Sequence, residues 1–196
     1  MGGRPQPRAN PMIFRRFAPN SQSRSIVPLY GAIVAQARLP AFYRRYGVPD
    51  TVAGRLEVLM LHLVLVLGHL KNGTAENRQL GQQLFDLFCD DMDATMREMG
   101  IGDLAVPRKM RRIGEAFYGR QVTYLAALAA PNDNELILAL ERNLFAGALK
   151  PHNAAGVATY SRQAMRQLAG YGGFDRKKIS FPDPDGFLVQ TAGGHD

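Results

Sequence analysis

At 196 residues, 46% hydrophobic and 21% charged, the chain is sized for one globular domain with tails, which excludes a fibrous or low-complexity polypeptide. Its single cysteine, Cys89, excludes an intrachain disulfide and a multi-cysteine zinc site, and fits a reducing compartment. The net charge of +7 is concentrated at the start: Arg4, Arg8, Arg15, Arg16 and Arg24 lie within residues 1–30 with no acid among them, a balance that favours anionic lipid, nucleic acid or an acidic protein face.

Residues 1–24 are rich in Pro, Arg and Asn and read as a flexible basic arm. They lack the continuous apolar stretch of a secretory signal. Their acid-free, Arg-rich composition matches a mitochondrial presequence, but Pro5, Pro7, Pro11 and Pro19 oppose a regular targeting helix. Met12-Ile13-Phe14-Arg15-Arg16-Phe17 mixes large apolar groups with guanidinium groups, and reads either as a short interfacial anchor or as a solvated tail. A helix is predicted from Ser25 to Arg38, where Ile26, Leu29, Tyr30, Ile33, Val34 and Ala37 recur at helical spacing, and Pro40 ends it. A short helix from Ala41 to Tyr46 follows, with Gly47 as its C-cap.

The stretch Asp50–Asn72 is the centre of the pattern. It is apolar on every side from Leu56 to Leu67, the mark of a helix buried in a core or a membrane. Asp50 is the expected N-cap. The run from Val58 to Leu67 is interrupted by His62 and is about half the roughly twenty residues that a bilayer span needs, so a core helix is expected. His62 reads as a hydrogen-bonded core or boundary group rather than a ligand, and His69 stands two turns away, about 10 Å, too far to share a metal ion with it.

Thr74 begins the next helix, to about Met99. Leu80, Leu84, Leu87, Phe88, Met92, Thr95 and Met99 share one side, while Asp86, Asp90, Asp93 and Arg97 share the other. Asp91 falls inside the apolar arc, where a buried ion pair with Arg55 or Arg45 is expected. Adjacent carboxylates diverge on a helix, so Asp90, Asp91 and Asp93 do not make a metal or acid–base site. Gly100-Ile101-Gly102 breaks the helix and Pro107 suits the first turn of the next, with Met110, Ile113, Gly114 and Phe117 inward. Arg108, Lys109, Arg111 and Arg112 oppose them, either as a solvated face or as a docking surface. A break at Gly119 is expected, then helices from Gln121 to Ala130, from Asp133 to about Leu149, and from Asn153 to Gly170. Residues 171–196 form an extended tail, either a hairpin turn or, preferably, a strap lying on the domain. The fold class is therefore all-α: a single compact multi-helix domain, residues 25–170, around a buried central helix.

No phosphate-binding, dinucleotide-binding, zinc-protease or serine-hydrolase motif is present, so no catalytic, cofactor-binding or metal-binding residue is assigned. The chemistry points to binding. Phe42-Tyr43-Arg44-Arg45-Tyr46 combines aromatic and guanidinium groups as partner surfaces do. Met92, Met96 and Met99 make either an adaptable groove or core packing. Candidate partner-binding residues are Tyr30, Phe42, Tyr43, Arg44, Arg45, Pro49, Arg108, Lys109, Arg111, Arg112 and Tyr118. Nucleic-acid or ribosome binding by the basic patches is the alternative, though no known RNA-binding module pattern is present.

Several blocks, taken in order, carry a family likeness. They are Leu29-Tyr30-Gly31, Phe42 through Thr51, the Leu-rich helix with His62, Asp91-Met92-Asp93, Arg97 through Asp103, Glu115 through Arg120, and Leu138 through Phe145. Over about residues 25–170 the chain resembles the ubiquinol–cytochrome c chaperone family, in a bacterial-type form. The resemblance implies a non-enzymatic, all-helical assembly factor for the respiratory cytochrome bc1 complex, with no cofactor. It implies immature cytochrome b or another bc1 subunit as partner, together with a small assembly partner protein. It places the protein in the cytoplasm or on the cytoplasmic face of the inner membrane, or at the mitochondrial inner membrane or matrix in a eukaryote. The basic arm adds an anionic membrane surface.

Overall fold

The computed structural model describes residues 23–146, 148, 152–170 and 179–188. The expected arm up to residue 22, including Met12–Phe17, and tail residues 171–178 and 189–196 lie outside them. Within the described residues the elements are α1 (Ser23–Ala37), α2 (Pro40–Arg44), α3 (Val52–Lys71), α4 (Ala75–Glu98), α5 (Val106–Ala129), α6 (Asn134–Asn143), α7 (Ala154–Ala169) and a short 3-10 turn, Pro184–Phe187.

The expected central helix is α3. It passes the length and hydropathy test for a membrane span, yet every residue from Val58 to Gly68 is buried, because α1, α4, α5 and α7 pack around it. An all-round apolar surface needs partners on every side, and these four helices supply them. Gly68 permits one of the contacts: a Cβ there would lie 2.5 Å from the Leu125 side chain of α5.

The boundaries follow backbone chemistry. Thr51, not Asp50, caps α3: its hydroxyl accepts from the Gly54 N–H at 3.1 Å. A cap must reach the amide three residues on. Asp50 stands one residue too early and instead pairs with Arg55 at 2.7 Å. The expected end of α2 at Tyr46 with Gly47 as C-cap is corrected: α2 stops at Arg44 and Arg45 is its C-cap, with its N–H bonded to Ala41 O at 2.9 Å, while Gly47, at φ 83°, turns the chain two residues later. Gly100, at φ 78°, closes α4: its N–H bonds Arg97 O at 3.0 Å, and the Ile101 N–H bonds Met96 O at 3.1 Å.

Two further expected boundaries are corrected. α5 runs through Gly119 without a break. One exposed helical glycine costs about 1 kcal/mol, less than is gained by burying Phe117, Tyr124 and Ala127 on the same continuous helix. α6 ends at Asn143 rather than near Leu149. The Leu144 and Phe145 amides both bond Leu140 O, at 2.7 and 3.2 Å, and this tight turn keeps both side chains buried.

Residues 179–188 lie across α1, α2, α3 and α7 as a strap. Gln36 Nε2 donates to Pro182 O at 3.2 Å, the Tyr46 hydroxyl donates to Pro184 O, and Arg45 pairs with Asp185 at 2.7 Å. The Phe181 ring meets His62 edge-on at 5.2 Å. Gly156 is required beneath the strap, since a Cβ there would lie 2.6 Å from Phe187 O and 2.7 Å from the Tyr46 ring.

Candidate partner-binding surfaces

The candidate residues divide into an interior group and two surfaces. Tyr30 and Phe42 are buried. Phe42 packs 5.3 Å from both His62 and Tyr160, inside the aromatic core. Tyr43, half-buried, donates to Ala37 O at 2.7 Å and lies under the Arg55 guanidinium at 5.6 Å. With exposed Arg44 and Arg45 and half-buried Pro49, it forms a corner at the start of α3. Arg108, Lys109, Arg111 and Arg112 are exposed on α5, where Arg111 pairs with Glu115 at 2.8 Å; Tyr118 on the same helix is 68% exposed.

Asp91 departs from expectation. Arg55 is taken by Asp50 and Arg45 by Asp185, so neither reaches it. Its carboxylate accepts the Tyr30 hydroxyl at 2.7 Å instead. Partial burial lifts the Asp91 carboxyl above the usual range, against the opposing pull of that bond and of Arg38. The expected ion pair is thus a neutral-donor hydrogen bond between α1 and α4.

Above this bond lies an open groove of about 330 Å³, formed by the end of α1, the start of α3, the end of α4 and Ile113 of α5. Its walls include Val34, Leu56, Leu59, Met92 and Met96, and its polar groups are Arg38, Arg55, Asp91 and Thr95. Val52 and Met99 also line it, and they are 67% and 57% exposed. Helical periodicity places Met99 inward, but α4 stops at Glu98 and the turn at Gly100 leaves Met99 at the surface. Met92 is half-buried against the core, so the three methionines grade from interior to rim.

The polar interior is settled differently. His62 Nδ1 lies 2.8 Å from Val58 O; a carbonyl only accepts, so Nδ1 carries the proton. Nε2 then accepts the Tyr160 hydroxyl at 2.7 Å, and that oxygen accepts Gln36 Nε2 at 3.1 Å. Burial pulls the His62 pKa down to about 4, which keeps the ring neutral. Glu57 and Arg120 form a two-pronged pair at 2.6 Å on each prong, mostly buried between α3 and α5. Burial pushes the Glu57 carboxyl up and Arg120 opposes it. Arg162 binds Asp133 and donates to the carbonyls of Leu128, Ala130 and Asn132 at 2.9, 3.0 and 2.6 Å, closing the α5–α6 connection. Sequence reading missed these contacts, since helical periodicity carries no signal for partners on other helices.

Among the described residues the chain is an all-α helical bundle whose buried polar side chains are paired except for the Tyr124 hydroxyl, with an open, methionine-lined groove on its surface. The family model described as Ubiquinol-cytochrome C chaperone matches residues 44–173. The chain belongs to that family, and membership of a chaperone family implies a non-enzymatic role. Its fold is similar to the crystal structure of the Cbp3 homolog from Brucella abortus: 34% identity, TM-score 0.77, covering 85% of this chain and 93% of that one. No curated protein matches the chain.

Proposed function

We propose that this protein is an assembly chaperone for the cytochrome bc1 complex, and that its methionine-lined groove holds an apolar segment of immature cytochrome b or another bc1 subunit. The observation that carries the reading is the pair of exposed apolar residues, Val52 and Met99, that line that groove. Exposed apolar surface costs solubility and is kept where something docks. Methionine side chains adapt to varied apolar shapes. Arg38 at the groove can meet polar or acidic flanks of a client segment. The corner of Tyr43, Arg44, Arg45 and Pro49 suits a small assembly partner protein. The protein works in the cytoplasm or on the cytoplasmic face of the inner membrane, or at the inner membrane or matrix of a mitochondrion, and its basic arm meets anionic lipid there.

Affinity capture of the tagged protein from membranes tests this reading. Cytochrome b should co-purify, and a strain lacking the protein should lose cytochrome b and bc1 activity while other respiratory complexes persist. Normal bc1 assembly in that strain would overturn it.

A further inference from the structure

At the other end of α3 and α4 lies a second groove, of about 380 Å³. Its floor is aromatic and apolar, with Leu67 beside the Phe85 and Phe117 rings, which stand 5.0 Å apart. Lys71, at the end of α3, and Arg78, near the start of α4, also line it. Phe85 follows Arg78 by two turns, roughly 10 Å of helix rise, and the exposed Arg78 guanidinium donates one N–H to Gly73 O at 2.9 Å. Among the described residues no carboxylate lines the groove, and the nearby Asp86 is held by Gln82 at 2.8 Å. On α5, Arg111, Gly114, Tyr118 and Gln121 share one face at helical spacing. Tyr118 is 68% exposed and neighbouring Val122 is 55% exposed. A Cβ on Gly114 would meet nothing within 4 Å, so the groove is open where a side chain would otherwise stand.

Cations at one end, rings two turns away and a tyrosine on the outer lip match an anionic amphiphile. A phosphate suits Lys71 and Arg78, an acyl chain suits the phenylalanine floor, and Tyr118 suits the polar–apolar boundary of a bilayer. Arg108, Lys109 and Arg112 are exposed on the same helix but on the side turned away from Gly114, with Glu115 between. Two cations, a phenylalanine floor and an exposed tyrosine in one groove fit an anionic lipid surface better than a single acidic side chain on a peptide. We propose that this groove seats one anionic phospholipid and holds the domain against the membrane by a contact separate from the N-terminal arm. The proposal extends the membrane-side chaperone reading but does not use the methionine-lined groove, so vesicle binding and bc1 level report on the two independently.

The test is flotation of the full-length protein with phosphatidylcholine vesicles, with and without phosphatidylglycerol. Lys71→Gln with Arg78→Gln should lower partition into anionic vesicles about tenfold beyond the loss caused by Arg108→Gln with Arg112→Gln, which removes the same charge outside the groove. Gly114→Leu should lower partition by a similar factor with no change in charge and with an unchanged or raised melting temperature. If the cation variant does not fold, Gly114→Leu decides alone. Equal losses in the two charge pairs with none for Gly114→Leu would overturn the proposal in favour of diffuse attraction. Displacement of the protein from vesicles by inorganic phosphate alone would overturn it in favour of a free-anion site. Displacement by a soluble acidic, apolar peptide would overturn it in favour of a peptide site.

Discussion

The middle of α3 and its N-terminal end meet opposite physical demands. Around His62, polar groups enter the core and find partners: the ring bonds Val58 and Tyr160, Tyr160 bonds Gln36, and Gln36 bonds the strap. Around Val52 and Met99, apolar surface faces solvent. The first arrangement specifies one fold, because a buried polar group without its partner costs about 1–3 kcal/mol. The second adds nothing to stability, and the proposed function assigns it to docking. The contrast separates residues that hold the domain from residues that use it, and each side can be broken separately.

The largest stability effect belongs to the interior. Glu57→Ala leaves Arg120 mostly buried without its carboxylate and should cost about 3 kcal/mol by urea denaturation. The same experiment on Arg111→Ala, which breaks the exposed pair with Glu115, should move stability by less than about 1 kcal/mol. Next comes Gly156→Ala, which drives a methyl group into Phe187 O and the Tyr46 ring and should cost about 1–3 kcal/mol, read as a lower melting temperature.

The His62 network makes a pH prediction. The folded-state pKa, about 4, lies below the ordinary value of 6.5, so between these limits the unfolded chain binds the proton and the folded chain does not. Stability therefore falls as pH drops from 6.5 towards 4. The double variant His62→Phe with Tyr160→Phe should show a flatter decline over that window in melts run at stepped pH, since it removes the ring and the hydroxyl bonded to it.

Much of the interior is legible in the sequence and much of the surface is not. The all-round apolar run of α3 forces a buried central helix whatever surrounds it, and the break at Gly100 follows from backbone conformation alone. Capping needs a finer rule: one residue separates Asp50 from Thr51, and only the latter reaches Gly54. Gly119 misleads because local propensity loses to tertiary packing along α5. Partners distant in the chain leave no periodic trace, so the Glu57–Arg120 pair, 63 residues apart, and the Arg162–Asp133 pair, 29 apart, are invisible beforehand. That blindness also produced the wrong partners for Asp91. At the site, Met92, Met96 and Met99 are recognisable as groove or core, but only the end of α4 decides which of them reaches solvent. Tyr30 and Phe42 are conspicuous in sequence for their aromatic rings, and those rings support the surface from below.

The smallest expected stability effect carries the most functional weight. Val52→Glu with Met99→Glu places two carboxylates at exposed positions and should change stability by about 0.5 kcal/mol or less per site. The most direct measurement is the bc1 level in a strain whose only copy carries this double variant. A folded protein at normal abundance with cytochrome b and bc1 activity reduced to the level of the deletion strain is the predicted result. Full bc1 activity from the same folded variant would contradict the assignment of this groove to the client.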